Sequence, residues 1–181
     1  MKNPKSPKLR GVDKYKPDYP LGQFPSGFAM ELGKELIYLL ATRNPPTLEG
    51  ADWEQIFARC VGAQWAPSNV GLDDVQLHQM AWSAKTVKNK NPFKVKHIRL
   101  ISGRNSPDYS FSIENVHTED PNQLGEMILG IWNARITDVR KKFATTRTVV
   151  LIKGEDLSTV SVFEEESLKY LPEDYEWEWN Q

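Results

Sequence analysis

The chain has 181 residues, 39% of them hydrophobic and 10% aromatic, which suits one domain with a real core and excludes a disordered protein. No apolar run approaches the roughly 20 residues that span a bilayer, and the Lys- and Pro-rich N-terminus lacks the apolar segment of a secretory signal. Cys60 stands alone, which rules out an internal disulfide framework and a cysteine-rich zinc site, and the formal net charge is −1, so a cytoplasmic protein without a membrane partner is expected.

Residues 1–25 carry Pro4, Pro7, Pro17, Pro20 and Pro25, a pattern that predicts an irregular, partly mobile arm ahead of a single domain over 26–181. From Gly27 to Ala41, Phe28, Leu32, Leu36 and Leu39-Leu40 recur at helical spacing, with Ser26 as N-cap and Asn44-Pro45-Pro46 as the stop. A second helix is signalled by Asp52 and Gln55 as a capping box. Its apolar stripe is Trp53, Ile56, Phe57, Cys60 and Val61. A loop over 65–70 then leads into the next elements.

Gly71-Leu72-Asp73-Asp74-Val75-Gln76-Leu77 and Ala81-Trp82-Ser83-Ala84-Lys85-Thr86-Val87-Lys88 read as two short strands of a hairpin turning near His78-Gln79. Alternation sends Val75 and Leu77 to one face and Asp74 to the other, with Asp73 opposite Asp74; on the second strand Ser83 and Lys85 share a face. Asp74 then lies opposite Ser83, and Lys85 is its diagonal neighbour, with backbones about 7–8 Å apart. The turn lacks the Asn-Gly or Asp-Gly that most strongly marks a hairpin. A carboxylate and an ammonium so placed suit phosphodiester hydrolysis. The carboxylate anchors a divalent cation that polarises phosphate and acidifies a water, and the ammonium orients that water or offsets charge on phosphorus. The same pair would also serve as ordinary surface charges on a half-exposed hairpin.

Asn89-Lys90-Asn91-Pro92 reads as a loop and Lys94 to Ile101 as a strand. Ser102 to Pro107 reads as a turn, and Tyr109, Phe111 and Ile113, alternating with polar residues, as a half-buried strand. Asp120-Pro121 opens a long helix with the stripe Leu124, Met127-Ile128, Ile131-Trp132, Val139 and Phe143. Arg147 to Lys153 and Thr159 to Phe163 are two further strands. The order α, α, β, β, β, β, α, β, β describes an α/β fold, a mixed sheet flanked by helices. His78, His97 and His117 show no metal-ligand spacing and are expected to be structural or surface residues.

Charge is segregated along the chain. Lys85, Lys88, Lys90, Lys94, Lys96, Arg99 and Arg104 follow one another with no acid between them. A further basic stretch holds Arg135, Arg140, Lys141, Lys142, Arg147 and Lys153, while the acids crowd the last thirty or so residues. One basic surface and a phosphate-backbone partner are therefore expected, with Lys88, Lys94, Lys96 and the N-terminal lysines on phosphates. Arg104-Asn105 is chemically suited to reading base edges. It would serve equally as a phosphate contact beside a turn-forming Asn.

A helix bearing an acid, followed by a hairpin with Asp on one strand and x-x-Lys on the next, resembles the PD-(D/E)xK nuclease superfamily. Gly71-Leu72-Asp73-Asp74-Val75 with Trp82-Ser83-Ala84-Lys85-Thr86 looks like type II restriction endonucleases in particular, and Ile101 to Ser106 and Tyr175 to Asn180 add to the likeness over roughly 50–180. The resemblance implies a restriction-endonuclease-like fold and Mg²⁺-dependent, sequence-specific cleavage of double-stranded DNA by a homodimer. It also implies a cognate DNA methyltransferase as functional companion. Asp74 would match the metal-binding aspartate and Lys85 the catalytic lysine. Ser83 stands where the pattern usually has Glu or Asp, which resembles the Ser-x-Lys form of some restriction enzymes, with the missing carboxylate supplied from elsewhere. Mg²⁺ takes one or two carboxylates and keeps several waters, so Asp74 with the Ala84 carbonyl leaves room for one more ligand. Glu54, about 90° from the centre of its helix stripe, is the first choice, although it would also favour the positive end of its own helix. Asp73, Glu35 and Glu114 rank behind it. Restriction enzymes of this kind would continue with more sheet after Trp179-Asn180, so the chain reads either as a compact complete fold or as a shortened relative. A nuclease of the same superfamily acting in repair or recombination, and a DNA-binding module without catalysis, are the competing readings.

Overall fold

The computed structural model describes residues 15–67, 71–98, 106–155 and 157–179. Five strands form one mixed sheet in the order β1 (Gln64–Trp65), β2 (Val75–Leu77), β3 (Met80–Lys88), β4 (Thr145–Lys153) and β5 (Val160–Glu166). β1, β2 and β3 are antiparallel to one another, β3 and β4 run parallel from Met80↔Thr145 to Lys88↔Lys153, and β4 and β5 are antiparallel. Parallel neighbours need a long crossover. Here it includes α3 (Pro107–Phe111) and α4 (Pro121–Val139); α1 (Phe28–Thr42) and α2 (Gly50–Val61) precede the sheet.

Both faces of the sheet are covered. Val75, Trp82, Ala84, Val149 and Leu151 pack against Phe28, Leu32 and Leu36 of α1 and Trp53, Ile56 and Phe57 of α2. Leu72 and Ala81, on the other side, meet Trp132, Ile136 and Val139 of α4. Double coverage explains why β4 is buried at every position from Thr146 to Ile152, as expected for a strand inside a two-sided sheet.

The predicted stripe of α2 is the buried one, but its cap lies earlier. Glu49 is the N-cap, and Asp52, at N3, accepts from the Glu49 N–H at 2.7 Å, so the capping box is Glu49/Asp52 and not Asp52/Gln55. Arg43 forks onto the same Asp52 carboxylate at 2.5 and 2.7 Å. In α1, Gly27 with φ 87° takes the cap position instead of Ser26, a left-handed conformation open to glycine. In α4, Asp120 accepts from the Asn122 and Gln123 N–H groups as its sequence predicts. Its buried stripe, however, is Leu124-Gly125, Leu129, Trp132, Ile136 and Val139. Met127, Ile128 and Ile131 are only half-buried flanks.

Two further sequence expectations are corrected. Tyr109 and Phe111 lie in α3 and are exposed, because Pro107 after Ser106 starts a helix more readily than the serine alternation builds a strand. Lys94 begins no strand: Pro92–Lys94 is a 3-10 turn, 95–98 are extended without sheet pairing, and 99–101 lie outside the described residues. Residues 15–25 are irregular, as expected. Tyr15, Tyr19 and Phe24 pack on the α1/α2 core. β1, two residues long, had no sequence signal.

Candidate active site

The hairpin forms in the predicted register, Val75↔Trp82 and Leu77↔Met80, with His78-Gln79 as its turn. His78 supplies the left-handed conformation, φ 49°, that Asn or Gly would have signalled. One step beyond Val75↔Trp82, Asp74 comes opposite Ser83, and Lys85 reaches it diagonally: its Nζ is 3.8 Å from Asp74 Oδ2. The Asp74 side chain is 6% exposed and that of Lys85 31%. The carboxylate is thus shielded while the ammonium still reaches solvent, and their attraction is stronger than between surface charges.

Local chemistry fixes Asp74 from both sides. Its carbonyl accepts from the Ala66 N–H at 2.9 Å, tying it to the end of β1. Gly71, φ 67°, turns the chain into β2, and its carbonyl accepts from Ser83 Oγ at 2.9 Å. Ser83 is 1% exposed, so it acts as a brace under the loop that carries Asp74. On β4, Thr148 stands beside Ser83 in the register and shares a 3.0 Å hydrogen bond with Ser167. β3 passes from wholly buried at Met80–Ala84 to half-buried from Lys85 onward. The pair therefore sits where the sheet opens towards the carboxyl ends of its parallel strands, the usual ligand side of an α/β sheet.

Asp74 is a hard oxygen donor, and the neighbouring Asp73, 3% exposed, has a buried Oδ1 with no hydrogen-bond partner. A buried carboxylate oxygen left so is costly unless a cation compensates it. The single oxygen donor at the pair, Asp74, is within what a magnesium-type ion takes, since that ion keeps most of its waters. Ala84 lies between Ser83 and Lys85 with its side chain in the α1/α2 core. Glu54 is not gathered with them: its carboxylate accepts from Trp65 Nε1 at 3.0 Å, and no group of three or more acidic, His or Cys side chains converges among the described residues.

The basic residues divide. Lys88, Lys90, Lys94 and Lys96 are all exposed along the end of β3 and the segment after it. Arg104 and Asn105 lie outside the described residues. The later basic stretch is partly internal, contrary to the expected free surface. Arg147 donates to Glu164 at 3.2 and 3.3 Å, Lys153 is bonded to the Leu48 carbonyl, and Arg140 pairs with Glu166 at 3.7 Å. Sequence reasoning missed the Arg147–Glu164 pair. The signal was available: Arg147 shares its strand face with Val149 and Leu151, both core residues.

No helix among the described residues is long and apolar enough to cross a membrane. The geometry defines an α/β protein with an acid–lysine pair at the open end of a mixed sheet. No family model, curated protein or solved structure matches the chain.

Proposed function

We propose that the protein is a Mg²⁺-dependent endonuclease that hydrolyses phosphodiester bonds of double-stranded DNA at a specific short sequence, a type II restriction enzyme with a restriction-endonuclease-like fold. The observation that carries this reading is the placement of Lys85 Nζ 3.8 Å from the buried Asp74 carboxylate on adjacent strands. Asp74 and the Ala84 carbonyl would hold the ion. When bound, Mg²⁺ would polarise the phosphate and lower the pKa of a bound water. Lys85, partly solvated, can orient the attacking water or offset the charge that develops on phosphorus. Ser83 keeps the Asp74 loop in place through Gly71. Lys88, Lys94 and Lys96 supply phosphate contacts, and Arg104-Asn105 either reads bases or holds phosphate. A homodimer and a companion DNA methyltransferase complete the reading.

Digestion of phage DNA with Mg²⁺, followed by sequencing of the fragment ends, tests it. A discrete set of fragments with one common end sequence is expected. A smear would assign the hairpin to a nuclease without base reading, and intact DNA over a range of Mg²⁺ would remove the catalytic role.

A further inference from the structure

The segment after β3 is pinned at several points. The Asn89 N–H donates to the Lys153 carbonyl at 3.0 Å, and the Asn91 N–H to Asn89 Oδ1 at 2.9 Å. The Lys94 N–H closes the turn onto the Asn91 carbonyl at 3.0 Å, and Ser161 Oγ of β5 donates to the carbonyl of buried Pro92 at 3.1 Å. On this braced turn Phe93 is 74% exposed. Two clefts of about 320 and 520 Å³ are both lined by Pro92 and Phe93. Lys96 and His97 edge the first cleft; Lys90 and one acid, Glu155, edge the second. Lys94, also exposed, is the next residue along the turn.

An aromatic ring held out from a rigid turn, with clefts beside it and ammonium groups around it, meets the two demands of an unpaired nucleic-acid strand. Such a strand offers base faces to stack and phosphates to neutralise. A protein partner is the poorer fit, because lysine is depleted at protein interfaces. A paired duplex fits less well too, since its base faces are closed inside the stack.

We propose that Phe93 is a stacking platform for an unstacked base of a DNA strand, with Lys90, Lys94 and Lys96 on the flanking phosphates. This deepens the nuclease reading by naming the state of the bound strand, and it can be tested without hydrolysis. The probe is a labelled oligothymidylate of about 16 nucleotides, within the site size of one such binding domain, compared with a duplex of equal length. Binding is followed by anisotropy in EDTA.

Phe93→Ala is expected to weaken the single strand about 5- to 100-fold, to leave duplex binding unchanged and to melt like wild type. Its salt slope should stay that of wild type, and Phe93→Trp should restore affinity. Lys94→Ala and Lys96→Ala should instead weaken both probes, each flattening the single-strand slope by about 0.7. Unchanged single-strand affinity in Phe93→Ala, equal loss on both probes, or no single-strand binding by wild type overturns the proposal. Cleavage is measured separately. Stacking without cleavage would sink hydrolysis alone, and cleavage with Phe93 silent would sink the platform alone.

Discussion

Arg147 and Glu164 meet with side chains 4% and 1% exposed, on the sheet face that carries Trp82. The Glu164 carboxylate also accepts from Trp82 Nε1 at 2.7 Å and from the Gly22 N–H at 2.6 Å, while Arg147 donates to the Tyr19 carbonyl at 2.9 Å. This pair ties the N-terminal segment to the sheet alongside the apolar contacts of Tyr19 and Phe24. Arg147→Ala should cost about 3–5 kcal/mol in urea denaturation by leaving Glu164 charged and buried. Arg147→Met with Glu164→Gln should recover part of that, because the charge is gone and the one amide oxygen can still accept from either Trp82 or Gly22, though not from both. A single variant as stable as wild type would contradict the assignment. A second anchor is Tyr15, whose hydroxyl donates to Asp18 at 2.6 Å, while Asp18 lies 2.9 Å from the His78 ring in the hairpin turn. Burial, then the Asp18 hydrogen bond and charge, pushes the Tyr15 phenol from 10.0 up to about 12. A raised pKa means that its contribution is complete below about pH 10 and is lost as the pH climbs to about 12. Tyr15→Phe should therefore flatten the alkaline fall in stability over that window; an unchanged fall would place its origin elsewhere.

Elements whose local chemistry and tertiary packing agree were legible from sequence. The α2 stripe, the Asp120 cap and the hairpin register were of this kind, and with the register came the Asp74–Lys85 juxtaposition. Where tertiary packing chose between local options, sequence reading failed. Ser83 came opposite Asp74 as expected, but its hydroxyl bonds a main-chain carbonyl twelve residues away in sequence, a partner no spacing rule announces. The α4 stripe was misphased: Leu129 and Ile136 were passed over although apolar, and Gly125, on which Trp177 lies, carried no hydrophobic signal. An ideal Cβ built there would stand 2.2 Å from the indole. The Trp177 N–H also donates to Asn122 Oδ1 at 2.9 Å one turn earlier. Gly125→Ala should thus displace the C-terminal segment even though Ala favours the helix by about 1 kcal/mol. The expected readout is a red-shifted tryptophan emission that disappears in a Trp177→Phe background. A raised melting temperature with unchanged emission would show that Trp177 does not rest there.

At the scale of the whole molecule, the net charge of −1 conceals the pairing of Arg147 and Arg140 with Glu164 and Glu166, while Lys88, Lys90, Lys94 and Lys96 form an exposed cationic run. That run continues from β3, the strand that carries Lys85, so the proposed phosphate contacts and the proposed hydrolytic pair lie towards one end of the sheet. The central claim is that this end of the sheet cuts DNA through Asp74 and Lys85, and the direct measurement is plasmid cleavage against Mg²⁺ concentration by wild type, Asp74→Asn and Lys85→Ala. Wild type should linearise the plasmid with Mg²⁺ and be silent in EDTA. Both variants should lose at least about 100-fold in rate while still binding DNA, the size of effect expected when a group positioned for proton transfer or charge stabilisation is removed. Cleavage by Asp74→Asn at the wild-type rate, or wild-type cleavage that persists in EDTA, would contradict the account.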